Sequence, residues 1–236
     1  MIRTVITLIA AYKIHYKLKK WLKGYDYEKI SLGQNCNSAF YLKETNCKKA
    51  SYPFDWIFSS SEIVSHAIKD NFNTFLNENH IINVDANRAG HKFYHSYLFN
   101  HKSPLSPEIY SYYERCIYRF RKILDGEKKI VFVCFVINEP KKRITWAKGF
   151  NREIKLPINQ NINDFKELIS NICDVHKNSK FIFINQLTEG NLNLKFTFYN
   201  KNNLWIDFVS RGQNTGLQYV DKVDHNMMKL IFKALK

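Results

Sequence analysis

A single cysteine, Cys36, stands where the apolar segment KISL gives way through the turn GQN to a stretch with helical periodicity. The unpaired amide groups and the dipole at a helix N-terminus stabilise a thiolate and lower the pKa of the thiol. The thiolate is the form that attacks acyl carbons. The position therefore predicts a nucleophile, while a small buried hydrophobic residue is the commoner role of a free cysteine.

The residues before Cys36 have the chemistry to assist such a nucleophile. Gly33 suits a tight turn, whose free amide groups can stabilise an oxyanion. The side chains of Gln34 and Asn35 offer further hydrogen-bond donors. A thiol nucleophile also needs a base, and histidine is the usual one.

Three of the eight histidines lie together in the segment GHKFYHSYLFNH. In an extended segment His91, Phe93 and His95 share one face, so the alternation supports His91 and His95 equally as the base. We favour His95. A carboxylate, Asp55, lies in the aromatic turn YPFDW and needs polar partners there. It either orients the histidine or caps the segment that follows.

Apolar segments alternate with helical patterns along the chain. The predicted strands are 29–32, 129–137, 180–185, 194–199 and 204–209, and the predicted helices are 37–44, 107–124, 163–176 and 223–235, with a further helix opened by a capping box of Ser59 and Glu62. This alternation predicts an α/β fold with a mostly parallel sheet flanked by helices on both faces. The last two strands, joined by NKNN, predict an antiparallel hairpin at one edge.

Polar residues follow three of the predicted strands. In open parallel sheets, ligands bind beyond the carboxyl ends of the strands. The first strand leads to Cys36, the second to Asn138 and Glu139, and the third to Asn185 and Gln186. The sequence therefore predicts that a thiol and several substrate-binding side chains meet at one edge of the sheet.

The chain carries 36 Lys and Arg against 21 Asp and Glu, a formal charge of +15. This excess indicates an anionic partner or a solvated basic surface. The aromatic residues lie mainly in apolar segments rather than among the basic ones, which disfavours nucleic acid. Five cysteines without a CxxC pair indicate a reducing, cytoplasmic compartment, and no Cys and His spacing predicts a zinc site. No residue pattern indicates a cofactor.

Residues 1–24 combine an apolar run with five lysines. The run is too short to span a bilayer, and its charges follow rather than precede it, which disfavours a signal peptide. On a helix, an apolar side is formed by Ile6, Ile9, Ile14, Leu18 and either Trp21 or Leu22. We predict a basic amphipathic helix at 1–24 and a single α/β domain at 25–236. The helix either packs on that domain or lies on an anionic inner membrane leaflet.

The segment SLGQNCNSAFYLKETNCKKASYPFDWIFSS resembles a bacterial family of unestablished function whose members are described as papain-like cysteine peptidases and are often associated with surface-polysaccharide loci. The matching positions are Ser31, Leu32, Gly33, Cys36, Ala39, Leu42, Lys43 and residues 53–56. Farther on, Phe93 and His95 match a Phe-x-His element. Residues 113–115 match a Tyr-Glu-Arg-Arg helix, in which Cys116 replaces the second arginine.

The resemblance implies a hydrolase in which Cys36 attacks an acyl carbon, His95 activates the thiol, and Asp55 or an asparagine orients the imidazole. Papain-like folds place the cysteine on a long helix against an antiparallel barrel. The strand pattern here instead places Cys36 after a strand of a parallel sheet. Both arrangements put the thiol at a helix N-terminus.

Two other functions are compatible with the sequence. A glycan-modifying or glycosyl-transferring enzyme would bind a sugar nucleotide at the sheet edge, with phosphates held by basic side chains. Those side chains would be Arg115, Arg119, Lys141, Lys142 and Arg143. Arg115 and Arg119 lie one helical turn apart, where they could share an anion or form a solvated face. A membrane-surface module without catalysis is the third function.

Of these functions, the sequence favours a cysteine-dependent hydrolase or acyltransferase. Its substrate would be a peptide, an ester, an amide or an anionic glycan.

Overall fold

The structure is a computed structural model that describes residues 2–139, 144, 146–151, 159–187 and 194–236, with the backbone alone for residues 2–4. Within these ranges the helices are α1 (Ile2–Leu22), α2 (Asn37–Glu44), α3 (Ser61–Lys69), α4 (Pro107–Leu124), α5 (Lys166–Val175) and α6 (Lys222–Lys233). The strands are β1 (Glu28–Ser31), β2 (Ile81–Asn83), β3 (Ala89–His91), β4 (Ile130–Ile137), β5 (Ser179–Leu187), β6 (Leu194–Phe198) and β7 (Asn203–Val209).

The central sheet has the strand order β1-β4-β5-β7-β6. Strands β1, β4, β5 and β7 are parallel, and β6 runs antiparallel to β7 at one edge. The predicted fold class is thus confirmed, including the edge hairpin. A separate antiparallel pair, β2 and β3, adds to the predicted strands.

Apolar side chains cover both faces of the sheet. All eight residues of β4 are buried, with Phe132 and Cys134 in one core and Val131 and Val133 in the other. A strand buried on both sides shows a continuous apolar run instead of alternation. Helices α3, α4 and α5 contribute to the first core, and α1, α2 and α6 contribute to the second. The prediction of helices on both faces is therefore confirmed.

The beginning of α3 differs from the prediction by one residue. Ser60 is the N-cap, and its hydroxyl accepts a hydrogen bond from the amide of Ile63 at 3.2 Å. Ser59 instead accepts from the amide of Gln34 at 2.9 Å and donates to the carbonyl of Leu32 at 3.2 Å. Two adjacent serines can both satisfy a capping pattern, and the tertiary contact with the turn after β1 decides between them.

Helix α1 packs against α6 and the edge strand β6. The side chains on its packed face are Thr7, Ala11, Ile14, Leu18 and Leu22. Ile6 and Ile9, which the sequence groups with Ile14 and Leu18, are instead half exposed. The helix therefore packs on the domain, but the packed face includes only part of the predicted apolar side. Among the described residues, none of the helices combines the length and apolar character needed to cross a membrane.

Candidate functional site

The turn after β1 has a backbone that requires glycine. Gly33 has φ +83°, and Gln34 also adopts a left-handed conformation with φ 61°. A Cβ atom at Gly33 would overlap the hydroxyl oxygen of Ser59. The hydroxyl of Ser31 accepts a hydrogen bond from the amide of Gly33 at 3.3 Å. These contacts hold the turn so that Cys36 becomes the N-cap of α2.

Cys36 lies where the sequence predicts, but its side chain is buried. The side chain is 3% exposed, and the carbonyl of the residue accepts from the amide of Phe40 at 2.9 Å. Burial, with a smaller contribution from the charge of Asp55, raises the pKa of the thiol to about 12. The sequence predicts a lowered pKa, whereas burial raises it in this conformation. Cys36 is therefore a neutral thiol here.

Asp55 is buried in an ion pair that the sequence does not reveal. Its Oδ2 atom accepts from the amide of Tyr52 at 2.8 Å and contacts the ammonium of Lys48. Lys48 also donates to the carbonyl of Ala50 at 2.7 Å. Burial raises the pKa of Asp55, and the charge of Lys48 acts in the opposite direction. In the described ranges, these bonds bind Asp55 to its own loop and none joins it to a histidine.

Two buried oxygens near Cys36 have no hydrogen-bond partner among the described residues: Asp55 Oδ1 and Tyr113 Oη. Tyr113 lies on α4 and is 2% exposed. Burial is the main cause that raises its pKa well above the ordinary value, and the neighbouring titratable groups, Asp55 among them, act in the same direction. The electrostatic coupling among the three side chains places them in the same region of the protein. A buried polar group without a partner costs about 1–3 kcal/mol, so two of them in one place need an explanation.

The two predicted anion-binding arginines of α4 have different environments. Arg119 donates from Nε to the carbonyl of Ser51 at 3.1 Å and from Nη2 to the sulfur of Cys116 at 3.2 Å. Arg115 is exposed. The guanidinium of Arg119 thus anchors the loop that carries Asp55. Residues 141–143, the other predicted phosphate ligands, lie outside the described residues.

His95, the predicted base, is enclosed by backbone and aromatic groups. Its Nδ1 atom accepts from the amide of Tyr97 at 2.9 Å, so Nε2 carries the proton and donates to the carbonyl of Trp146 at 2.9 Å. The ring of Phe150 packs edge-on at 4.5 Å between centroids. Burial lowers the pKa of His95 to about 4. No hydrogen bond joins His95 to Cys36 in the part of the chain that the structure describes.

His91, the other histidine that the alternation supports, is also bonded elsewhere. Its Nε2 atom lies 3.0 Å from the carbonyl of Thr74, and burial lowers its pKa to about 4.

Amide side chains meet beyond the carboxyl ends of β1, β4 and β5. Gln34 accepts from the amide of Ile137 at 2.7 Å and donates to Gln160 at 2.6 Å. Asn138 donates to Asn185 at 2.7 Å and accepts from the amide of Gln160 at 2.8 Å. The structure thus brings Gln34, Asn138 and Asn185 together at one edge of the sheet. The sequence holds no signal for Gln160.

A second set of polar contacts links this edge to α2. Gln186 donates to Glu139 at 2.8 Å and accepts from Asn214 at 2.6 Å. Asn214 in turn exchanges two hydrogen bonds of 3.0 Å with Asn37, the first residue of α2. Asn35, the remaining predicted donor, uses its oxygen to accept from the amide of Asn37 at 3.0 Å. Bonds among these amides therefore hold the N-terminus of α2 in position.

The fold and the site define an α/β protein with a buried thiol at the first strand-to-helix turn. The chain belongs to the family described as "Putative papain-like cysteine peptidase (DUF1796)", whose model matches residues 27–147, more than half of the chain. A similar curated protein is "Uncharacterized protein R408" of Acanthamoeba polyphaga mimivirus, at 27% identity over 44% of this chain. The chain covers 59% of that relative's length. No solved structure gives a significant match.

Proposed function

We propose that the chain is a cysteine-dependent hydrolase in which Cys36 forms a thioester with an acyl substrate. The observation that carries the proposal is the pair of buried, unpartnered oxygens, Asp55 Oδ1 and Tyr113 Oη, beside a thiol at a helix N-terminus. A buried oxygen that has no partner in the protein remains able to bond the reacting group of a substrate.

In the proposed mechanism Asp55 is the base. Cys36 Sγ attacks the acyl carbon while its proton passes to Asp55 Oδ1, and a tetrahedral oxyanion forms. The C–O or C–N bond then breaks and the leaving group takes that proton. A water molecule next attacks the thioester, which releases the acid and restores the thiol. Burial supports this role because it raises the basicity of the carboxylate.

Lys48 is a positioning residue in this mechanism. Its ammonium contacts Asp55 Oδ2 and so leaves Oδ1 available for the proton. The hydroxyl of Tyr113 is suited to donate a hydrogen bond to the oxyanion. The amide groups of the first turn of α2 are suited to the same role. Asp55 and Tyr113 lie in segments through which the sequence resembles the family, whereas the role of Lys48 follows from its contact with Asp55.

The Cys36 and His95 pair that the resemblance implies is a second arrangement of the same hydrolase. The imidazole would have to leave the carbonyl of Trp146 before its Nε2 atom could accept a proton. An acyltransferase acting on surface polysaccharides would use the same thioester, with a sugar hydroxyl in place of water. The variants below distinguish the two bases, and added glycerol distinguishes transfer from hydrolysis.

The test uses p-nitrophenyl acetate as the acyl probe. We expect a burst of p-nitrophenolate and an acetyl group on Cys36, read by peptide mass spectrometry, and both are lost in Cys36→Ala. Cys173→Ser is the matched control, because Cys173 is the partly exposed thiol and would react first in a nonspecific acetylation. Acetylation that depends on Cys173, or that survives Cys36→Ala, would refute the proposal.

A second comparison identifies the base. Asp55→Asn should lower the burst rate by about 10²–10⁴-fold, the usual contribution of general acid–base catalysis. His95→Asn should leave the burst rate of the folded fraction nearly unchanged. The opposite result would assign the base to His95.

A further inference from the structure

Helix α1 has apolar side chains on the side away from the domain as well as on its packed face. These outward apolar side chains lie between residues 5 and 16: Val5, Ile6, Ile9, Tyr12 and Tyr16. They are between 50% and 68% exposed. At 100° per residue, Ile9 and Tyr16 point almost directly away from the packed Leu18. Large apolar side chains collected on one outward surface mark an interaction site.

The outward surface also carries lysines, which begin at Lys13 and continue to Lys23, just after the end of α1. The exposed lysines are Lys13, Lys17, Lys19, Lys20 and Lys23. Helix α1 contains no acidic residue. The outward face thus combines apolar and aromatic side chains with cationic ones.

Two grooves continue this surface onto the domain. A shallow groove of about 470 Å³ lies between α1 and Phe196 of β6, and Ile9, Tyr12 and Lys13 line it. A second groove of about 670 Å³ shares Tyr16 and includes Lys20 and Lys23. It also includes Lys29, whose side chain is 7% exposed and whose ammonium lies 3.8 Å from Asp26. The three exposed lysines of this groove, Lys19, Lys20 and Lys23, suit an anionic headgroup.

We propose that the outward face of α1 binds the surface of an anionic lipid bilayer. The aliphatic and tyrosine side chains would enter the interfacial layer, and the lysines would contact the headgroups. Charge complementarity favours this occupant over a second copy of the chain, because two such faces would bring their lysines together without an acidic partner. The apolar side chains favour a bilayer over a nucleic acid. This inference is independent of the proposed hydrolase activity.

The experiment is co-sedimentation of the full chain with vesicles of phosphatidylcholine alone or mixed with phosphatidylserine. We expect binding to the mixed vesicles that weakens as salt is added. The triple variant Lys13→Gln, Lys17→Gln, Lys20→Gln should lower the partition coefficient on the order of 100-fold, since each lysine near such a surface contributes roughly a factor of five.

The matched control removes the same charge from the opposite helix layer, with Lys122→Gln, Lys166→Gln and Lys177→Gln. These lysines are exposed and lie on or just after α4 and α5. The control should bind as the wild type does. The pair Ile9→Ser and Tyr16→Ser should weaken binding at unchanged charge, with circular dichroism confirming that the helix is retained.

Three results would overturn the proposal. The first is equal binding to vesicles with and without phosphatidylserine. The second is an equal loss in the control variant, which would show that net charge alone governs binding. The third is a dimer in sedimentation velocity that Ile9→Ser and Tyr16→Ser convert to a monomer, which would assign the face to self-association.

Discussion

Replacing Asp55 by Asn removes one charge from the buried pair with Lys48. The Lys48 side chain is 9% exposed and that of Asp55 is 1% exposed, so solvent screens neither. Asparagine retains an oxygen for the amide of Tyr52, which confines the change mainly to the charge. The Lys48 ammonium would keep the carbonyl of Ala50 but lose its counter-charge.

The expected cost follows from that uncompensated ammonium. Breaking a buried ion pair by removing one partner costs about 3–5 kcal/mol, a large share of the roughly 5–15 kcal/mol by which domains are stable. Adding Lys48→Met removes the second charge and keeps the volume. The double variant should therefore be more stable than Asp55→Asn, by about 2 kcal/mol or more.

Asp55→Asn should make Cys36 more reactive towards alkylation while it slows acyl transfer. Asp55 raises the pKa of Cys36, so Asp55→Asn should lower that pKa from about 12 and speed alkylation by iodoacetamide above pH 9. Acyl transfer should slow because the base is gone. A residue with a purely structural role would not move the two rates in opposite directions.

Urea unfolding followed by tryptophan fluorescence measures the stabilities, and peptide mass spectrometry measures the alkylation rates. The reasoning fails if the double variant is no more stable than Asp55→Asn, since the pair would then not be the source of the cost. It also fails if the apparent pKa of Cys36 rises when Asp55 is replaced.

Three further predictions concern the turn, the histidine and the thiols. Gly33→Ala should cost at least about 2 kcal/mol in urea unfolding, because φ is +83° and the new Cβ meets Ser59, and adding Ser59→Ala should recover part of that cost. Burial holds the pKa of His95 at about 4, below the ordinary 6.5, so the unfolded chain binds more protons between these values. The free energy of unfolding should therefore fall by roughly 3 kcal/mol as the pH drops from 6.5 to 4. The prediction is contradicted if the free energy of unfolding of His95→Asn depends on pH as steeply as that of the wild type. In native protein at pH 8, iodoacetamide should modify the partly exposed Cys173 well before the buried Cys36, and the reverse order would show that the thiol is activated in the free enzyme.

Local patterns predicted most of the elements that build the site. Residues 107–124 form a helix with the predicted bounds because Pro107 suits its first turn and apolar side chains recur with helical spacing. The strands β4 and β5 match their apolar runs within two residues at each end. The edge where Asn138 and Asn185 meet follows from the parallel order of those strands, because their carboxyl ends share one side of the sheet.

The state of the thiol required the tertiary structure. The sequence places Cys36 at a helix N-terminus, where the dipole lowers a pKa, but burial beside Asp55 raises it to about 12. Desolvation depends on every group packed around the sulfur, and these groups come from distant segments. The hydrogen bond between His95 and Trp146 also depends on the tertiary structure, because 51 residues separate the two in the sequence.

The sequence by itself determined the α/β class, the mostly parallel character of the sheet and the turn before Cys36, because apolar runs, helical periodicity and turn residues are local features of the chain. The tertiary structure decided which charge lies beside that thiol and which side of α1 is buried. Lys48 meets Asp55 through the path of a loop. Helix α1 is apolar on two sides, so contact with α6 and β6 selects the packed face. Periodicity is a property of one element, whereas burial is a property of the elements packed together.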